Sequence, residues 1–192
     1  DDVGLVSQLK QKTAAGKLDQ MYPQVRVRQQ VVFIALCSVF PAPWLRATGR
    51  INQQQLMRLK FVLNDPALAD HCKVLLIHHP ITMTHTRKRK SLLNHADVCA
   101  LLKHSPVDLV VHGHGHTRTL EYLACEDGRN TPIVGMASSS STSAHELQRA
   151  EFKLFDVRRG HHNWHISMQS YQFDSTAEQF KPAEVCVVSE LV

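Results

Sequence analysis

Two apolar runs in this chain end in imidazoles. Lys73-Val74-Leu75-Leu76-Ile77 leads into His78-His79-Pro80, and Val107-Asp108-Leu109-Val110-Val111 leads through His112 into Gly113-His114-Gly115-His116. Short apolar runs bounded by turn residues are typical of strands buried on both faces, as in parallel sheets. Ligands of open parallel sheets collect outside the carboxyl ends of the strands. Two neighbouring strands ending this way would aim several neutral nitrogens at one place, and convergent imidazoles suit zinc, manganese or iron. Gly113 and Gly115 lack Cβ and are expected to let the backbone turn sharply, bringing His114 and His116 to one centre. The competing reading is that each is a hydrogen-bonded structural histidine. Thirteen histidines in 192 residues produce chance pairs, so the weight rests on two motifs in order, each at a strand end.

The elements that must position these residues follow from periodicity. Residues 31–36 form a continuous apolar run, followed by a proline-containing loop over 41–49. Residues 52–63 predict a helix, with Asn52 and Gln55 as a capping box and Leu56, Leu59 and Leu63 at helical spacing. Residues 73–77 predict the next strand, 94–103 the next helix, with Asn94 as N-cap and Asp97 as its partner, and 107–111 a further strand. Two βαβ units in succession result, expected to lie in one sheet under the two helices. After His116 the pattern changes to strands and turns: 119–124, a turn at Asp127-Gly128, 131–137, 151–157, a turn at Gly160, and 164–173. Trp164, Ile166 and Met168 alternate with polar residues, so that strand should present one face to a core. All strands from Thr119 onward are expected to form a second, antiparallel layer packed on the first. Residues 3–18 predict a weak amphipathic helix. Ser138 to Ser143 lack a nucleophile elbow and read as a polar loop.

Strand, His-His-Pro, basic loop, helix, strand and Gly-His-x-His is an order that resembles the calcineurin-like metallophosphoesterases. Upstream, Val31-Val32-Phe33-Ile34-Ala35-Leu36-Cys37-Ser38, Pro41, Gly49-Arg50-Ile51 and Gln55-Leu56-Met57-Arg58-Leu59 are similar to the cyclic-nucleotide phosphodiesterase branch, which usually has Asn or Asp where Cys37 stands. The family also carries Asp-x-His, Gly-Asp-x-x-Asp and Gly-Asn-His, and none of the three is present. Asp70-His71 lacks the intervening residue, and Asn94-His95 lacks the glycine and follows His78. The resemblance therefore implies an α/β fold, an α/β/β/α sandwich lacking its N-terminal half. Residues 1–30 would be an N-terminal remnant, 31–116 a βαβαβ unit with the histidine motifs, and 117–192 mainly antiparallel strands.

By the same resemblance His78 and His114 would hold one metal and His116 the other, as part of a centre of two divalent ions, manganese, iron or zinc. His79 and His112 would orient these ligands by hydrogen bonds. Arg87 and Arg89, in the run Arg87-Lys88-Arg89-Lys90, would face a docking phosphate, although such a run also suits a plain solvated loop. The implied reaction is phosphoester hydrolysis by a metal-activated hydroxide, with cyclic nucleotides among the fitting substrates. The aspartate that bridges the two metals in the family is absent, so the chain alone is expected to be a poor hydrolase. A non-catalytic binding or interaction protein is the alternative. Without a strand beside residues 31–36 that edge would be exposed, inviting a homo-oligomer or a complementing N-terminal half.

Composition narrows the classes further. A content of 43% hydrophobic residues suits one globular domain. No apolar stretch approaches a membrane span, and the first residues show no basic region followed by an apolar core, so neither a membrane nor secretion is expected. Cys37, Cys72, Cys99, Cys125 and Cys186 are odd in number and form no Cys-x-x-Cys pair, which fits reduced thiols and a cytoplasmic location. A net charge of +5 suits anionic substrates as well as an ordinary solvated surface. Aromatic residues do not interleave with the basic run, so nucleic acid is not an expected partner. His161, His162 and His165 fall at a predicted hairpin and are not expected to act.

Overall fold

The computed structural model describes residues 21–39, 41, 44–84, 86, 88–143, 145–161 and 163–189. The helix expected over 3–18 lies outside the described residues, as do Arg87 and His162. The chain runs β1 (Gln24–Arg28), β2 (Val31–Ala35), α1 (Gln53–Leu63), β3 (Cys72–Ile77), α2 (His95–His104), β4 (Leu109–His112), β5 (Thr119–Ala124), β6 (Asn130–Gly135), β7 (Glu151–Arg159), β8 (Trp164–Asp174) and β9 (Gln179–Val187). β2, β3 and β4 are parallel neighbours, with Ala35 opposite Leu76 and Ile77 opposite His112.

Their near-continuous apolar sequences follow from two covered faces. Leu75 and Ile77 of β3 and Val110 of β4 enter one core with Leu59, Leu63, Val98 and Leu102 of the helices. The intervening Cys72, Val74 and Leu109 enter a second core with Ile166 and Met168 of β8 and Val188 just past β9. Side chains pointing to alternate faces each find an apolar partner layer, so a mixed sheet lies between two helices and a smaller antiparallel sheet. Burying one such side chain completely stabilises by roughly 1.5–3 kcal/mol. Ile166 and Met168 face the core as their alternation predicted, and both are buried.

Several expectations are corrected. β5 and β6 belong to the first sheet, whose order is β1-β2-β3-β4-β6-β5, and β7-β8-β9 alone make the second. The reason lies in β6: Ile133 and Val134 are both fully buried on opposite faces, which an outer antiparallel layer could not provide. Nor is the edge at residues 31–36 open. β1 pairs antiparallel with β2 across Gln29 and Gln30, Gln29 adopting φ 51° in the turn. β1 offers only Val25 and Val27 as apolar alternation between arginines, a weak signal. β9 was also not foreseen, because it is mostly exposed and carries Pro182, Lys181 and Glu184, residues that suit a sheet edge.

The caps differ in use. Asn52 Oδ1 accepts from Gln55 N at 2.7 Å as expected, but the Gln55 amide turns to Cys37, accepting from its N–H at 2.8 Å and donating to its carbonyl at 3.0 Å. Asn94 stands at the N-cap position of α2 without capping it; its amide accepts from Ile51 N at 3.0 Å and donates to Ile51 O at 2.9 Å. The backbones at Cys37 and Ile51 lie outside the strand ladders, and one amide supplies both the donor and the acceptor each of them needs.

Candidate functional site

The register of β3 on β4 decides where the motifs meet. Ile77 lies opposite His112, so His78 and Gly113 leave the sheet together, and Gly113 N–H donates to His78 O at 3.1 Å. Met136 N–H donates to His112 O at 3.0 Å, fixing the loop from the β6 side. Gly115 N–H then donates to Gly113 O at 2.7 Å, closing a tight turn round His114. The left-handed conformation in this turn is taken by the imidazole residues, at φ 62° for His114 and 52° for His116. A Cβ at Gly113 or Gly115 would meet nothing closer than 3.9 Å. A left-handed non-glycine residue costs roughly 1–2 kcal/mol, and such strain concentrates at functional sites.

Three rings cluster there. His78 Nε2 and His114 Nδ1 are 2.9 Å apart, one ring donating its N–H to the lone pair of the other. The His79 ring lies against that of His114, centroids 4.1 Å apart. His79 is held from both sides: Nε2 lies 3.2 Å from the Ala47 carbonyl, which can only accept, so Nε2 carries the proton and Nδ1 accepts from the Ser38 hydroxyl at 2.8 Å. Burial, reinforced by His114, holds the His79 pKa down at about 4, against the Ala47 carbonyl that favours its cation. Burial, then His78, also lowers His114, against the Ala47 carbonyl, with Lys90 and His116 acting in the lowering direction. Burial lowers His112, opposed by the Gly113 carbonyl and Glu121. These three imidazoles are therefore neutral near pH 7, the form that offers a lone pair.

Two ring nitrogens of these imidazoles have no hydrogen-bond partner among the described residues. His114 Nε2 is buried and unpaired, and so is His112 Nε2, whose Nδ1 lies 3.1 Å from the Gly113 carbonyl. A Cβ at Gly135 would collide with the Thr119 hydroxyl and the His112 ring, so glycine is required where β6 passes the histidines. His78, His112, His114 and His116 line one open cavity of about 520 Å³ together with Leu36 and Ser138. Among the described residues that line it, none is acidic. Another cavity, of about 310 Å³, lies at the opposite ends of the strands, beside Asp108, Arg129 and Trp164, away from the imidazoles.

His78 and His114 meet, His116 lines their cavity, and His79 packs behind them. Arg89 is exposed on the turn Lys88–Lys90, where its carbonyl accepts from Ala47 N at 2.9 Å. His165 sits within β8, outside the cavity. Among the described residues no group of three or more His, Cys, Asp and Glu is arranged to hold a metal ion. The paired imidazoles and the unpaired His114 Nε2 fit part of the donor set of one borderline cation. The described residues alone do not fit a two-metal centre, since none of those lining the cavity is a carboxylate that could offset two mutually repelling cations. Ser38, the Ala47 carbonyl and Lys90 act on this cluster without having been singled out in the sequence. Only Lys90 left a signal there, as part of the basic run.

No family model matches the chain, and no curated protein matches it. Among solved structures it is similar to a dimetal phosphatase from Danio rerio at 15% identity and a TM-score of 0.44, over 73% of this chain and 39% of that one. It is similar also to the anchor in the inner membrane complex of Plasmodium at 16% identity and a TM-score of 0.47, over 83% of this chain and 49% of that one. The chain thus spans less than half the length of either.

Proposed function

We propose that the chain carries the histidine-bearing part of a metal-dependent phosphoesterase site, in which His78, His114 and His116 contribute ligands to divalent metal and a phosphoester, a cyclic nucleotide among the candidates, binds over them. The observation that supports this reading is the 2.9 Å approach of His78 Nε2 to His114 Nδ1 at the carboxyl ends of adjacent parallel strands, with His114 Nε2 buried and unpaired. A divalent ion, when bound, supplies a water acidic enough to give hydroxide near pH 7. The protein's own residues prepare the site: Ser38 and Ala47 fix the tautomer of His79, the His79 ring braces His114, and Lys90 adds positive potential for phosphoryl oxygens. Three neutral imidazoles without a carboxylate hold one ion weakly, so further donors beyond these three are needed to complete the site. The acid-free lining of the cavity also favours a second reading, a binding protein that keeps this half of the fold without turnover.

Titrating manganese or zinc into the wild type and the His114→Ala/His116→Ala double variant tests the ligand assignment. Affinity is expected to fall at least about tenfold in the variant; equal affinity removes the reading. Hydrolysis of bis(p-nitrophenyl) phosphate by this chain with manganese is expected to be very slow. Robust turnover that disappears in His78→Ala would show that the chain completes its own site.

A further inference from the structure

Beside the histidine cavity lies a surface that the reaction does not account for. Ala47 N–H donates to Arg89 O at 2.9 Å, Gly49 N–H to Ser91 O at 3.1 Å and Leu93 N–H to Gly49 O at 2.8 Å, while Arg50 N–H donates to Ser38 O at 3.1 Å. These bonds stitch the neighbourhoods of residues 38–39, 44–50 and 88–93 into one surface, and the Ala47 carbonyl on His79 ties it to the cavity. It presents bulky apolar side chains to solvent: Trp44 is 90% exposed, Leu45 83%, Val39 76% and Leu93 49%. The same segments carry the exposed cations Arg46, Arg50, Lys88 and Arg89. A cavity of about 410 Å³ opens among Val39, Pro41, Arg50 and Gln53, with the Arg50 side chain in its wall.

The charge distribution points to the partner. Residues 38–39, 44–50 and 88–93, which build this surface, carry five of the chain's 22 Lys and Arg and none of its 17 Asp and Glu. The net +5 is therefore concentrated rather than mixed. An exposed Trp-Leu pair is unfavourable in water, and on segments that also carry exposed cations and no acid it matches the boundary between anionic headgroups and acyl chains, where tryptophan collects and each Lys or Arg adds attraction. We propose that this surface docks the protein peripherally on an anionic lipid bilayer, Trp44 and Leu45 entering the interface and Arg46, Arg50, Lys88 and Arg89 meeting lipid phosphates. No helix among the described residues is long and apolar enough to cross a membrane. Docking does not depend on metal at the histidines.

The test is co-sedimentation of the full chain with vesicles of phosphatidylcholine alone and of phosphatidylcholine with phosphatidylserine at about 3:1. Binding is expected only to the anionic vesicles and should weaken with salt. Arg46→Ala and Arg50→Ala should each weaken it about fivefold, and Trp44→Ala/Leu45→Ala more than about tenfold. Brominated lipid should quench fluorescence in the wild type far more than in Trp44→Ala. All four side chains are exposed, and an unchanged unfolding midpoint confirms that the variants fold. Several outcomes would overturn the proposal: no vesicle binding, equal binding to neutral and anionic vesicles, or binding untouched by the Trp44 and Leu45 substitutions. A wild type that self-associates through Trp44 and Leu45 and ignores vesicles would overturn it in favour of a second copy of the chain as the occupant.

Discussion

At the level of single residues, the histidine cluster depends on a close approach that one small side chain permits. The His79 ring lies against the backbone at Gly49, and a Cβ there would collide with Nδ1, the atom that accepts from Ser38. The ring cannot yield easily, being pinned by Ala47 on its other nitrogen and flanked by His114. Overpacking of this kind costs typically 1–3 kcal/mol. Gly49→Ala should accordingly lower stability by about 2 kcal/mol in urea unfolding, at unchanged dependence on denaturant. In a double-mutant cycle most of that loss should vanish against a His79→Ala background, because the collision needs both partners. Additive losses would show that the ring is not what Gly49 makes room for.

Among the elements, β8 and β9 show how a local signal sets a connection. Asp174 ends β8, and its carboxylate accepts from Thr176 N at 2.9 Å, Ala177 N at 3.1 Å and Lys181 Nζ at 2.6 Å. Lys181, then the two backbone N–H groups, hold the Asp174 carboxyl down at about 2 from its ordinary 3.8. A carboxyl depressed in the folded state contributes stability that is fully present above the unfolded value and lost as pH falls through the folded one. Asp174→Asn should therefore melt at a lower temperature than the wild type at neutral pH, by a small margin because the pair is exposed. The gap should close between pH 4 and 2. A gap that is constant down to pH 2 would assign the effect to turn geometry alone.

For the whole molecule, a buried ion pair joins the two sheets near the histidine cavity. Lys153 Nζ and Glu151 Oε2 are 3.3 Å apart with side chains 0% and 1% exposed, Lys153 donates to Ser170 Oγ at 2.9 Å, and Glu151 Oε1 accepts from Ala137 N at 3.3 Å. Ala137 follows β6 of the first sheet and lines the cavity, whereas Glu151 and Lys153 belong to β7 of the second. Removing one partner of such a pair strands the other charge at a cost of about 3–5 kcal/mol, while replacing both by apolar groups is often close to neutral. Lys153→Met should thus be far less stable in urea than Lys153→Met/Glu151→Leu. If the double variant is as unstable as the single one, the tether to Ala137, rather than charge balance, is what the second sheet requires.

Much of this could be read along the chain. The parallel strands β2, β3 and β4, both helices and the placing of His78 beside His114 followed from apolar runs and helical spacing, because both are repeated local patterns that burial enforces. Tertiary structure alone decided the rest. β6 went to the first sheet because Ile133 and Val134 need cover on opposite faces, which no local pattern reveals. Asn94 left its helix for Ile51, 43 residues away, since a buried backbone outside any ladder takes whichever amide folding brings to it. The strain fell on His114 and His116 rather than on Gly113 and Gly115 because the turn is drawn by bonds from Gly113 to His78 and from Met136 to His112, made only once β3, β4 and β6 lie side by side.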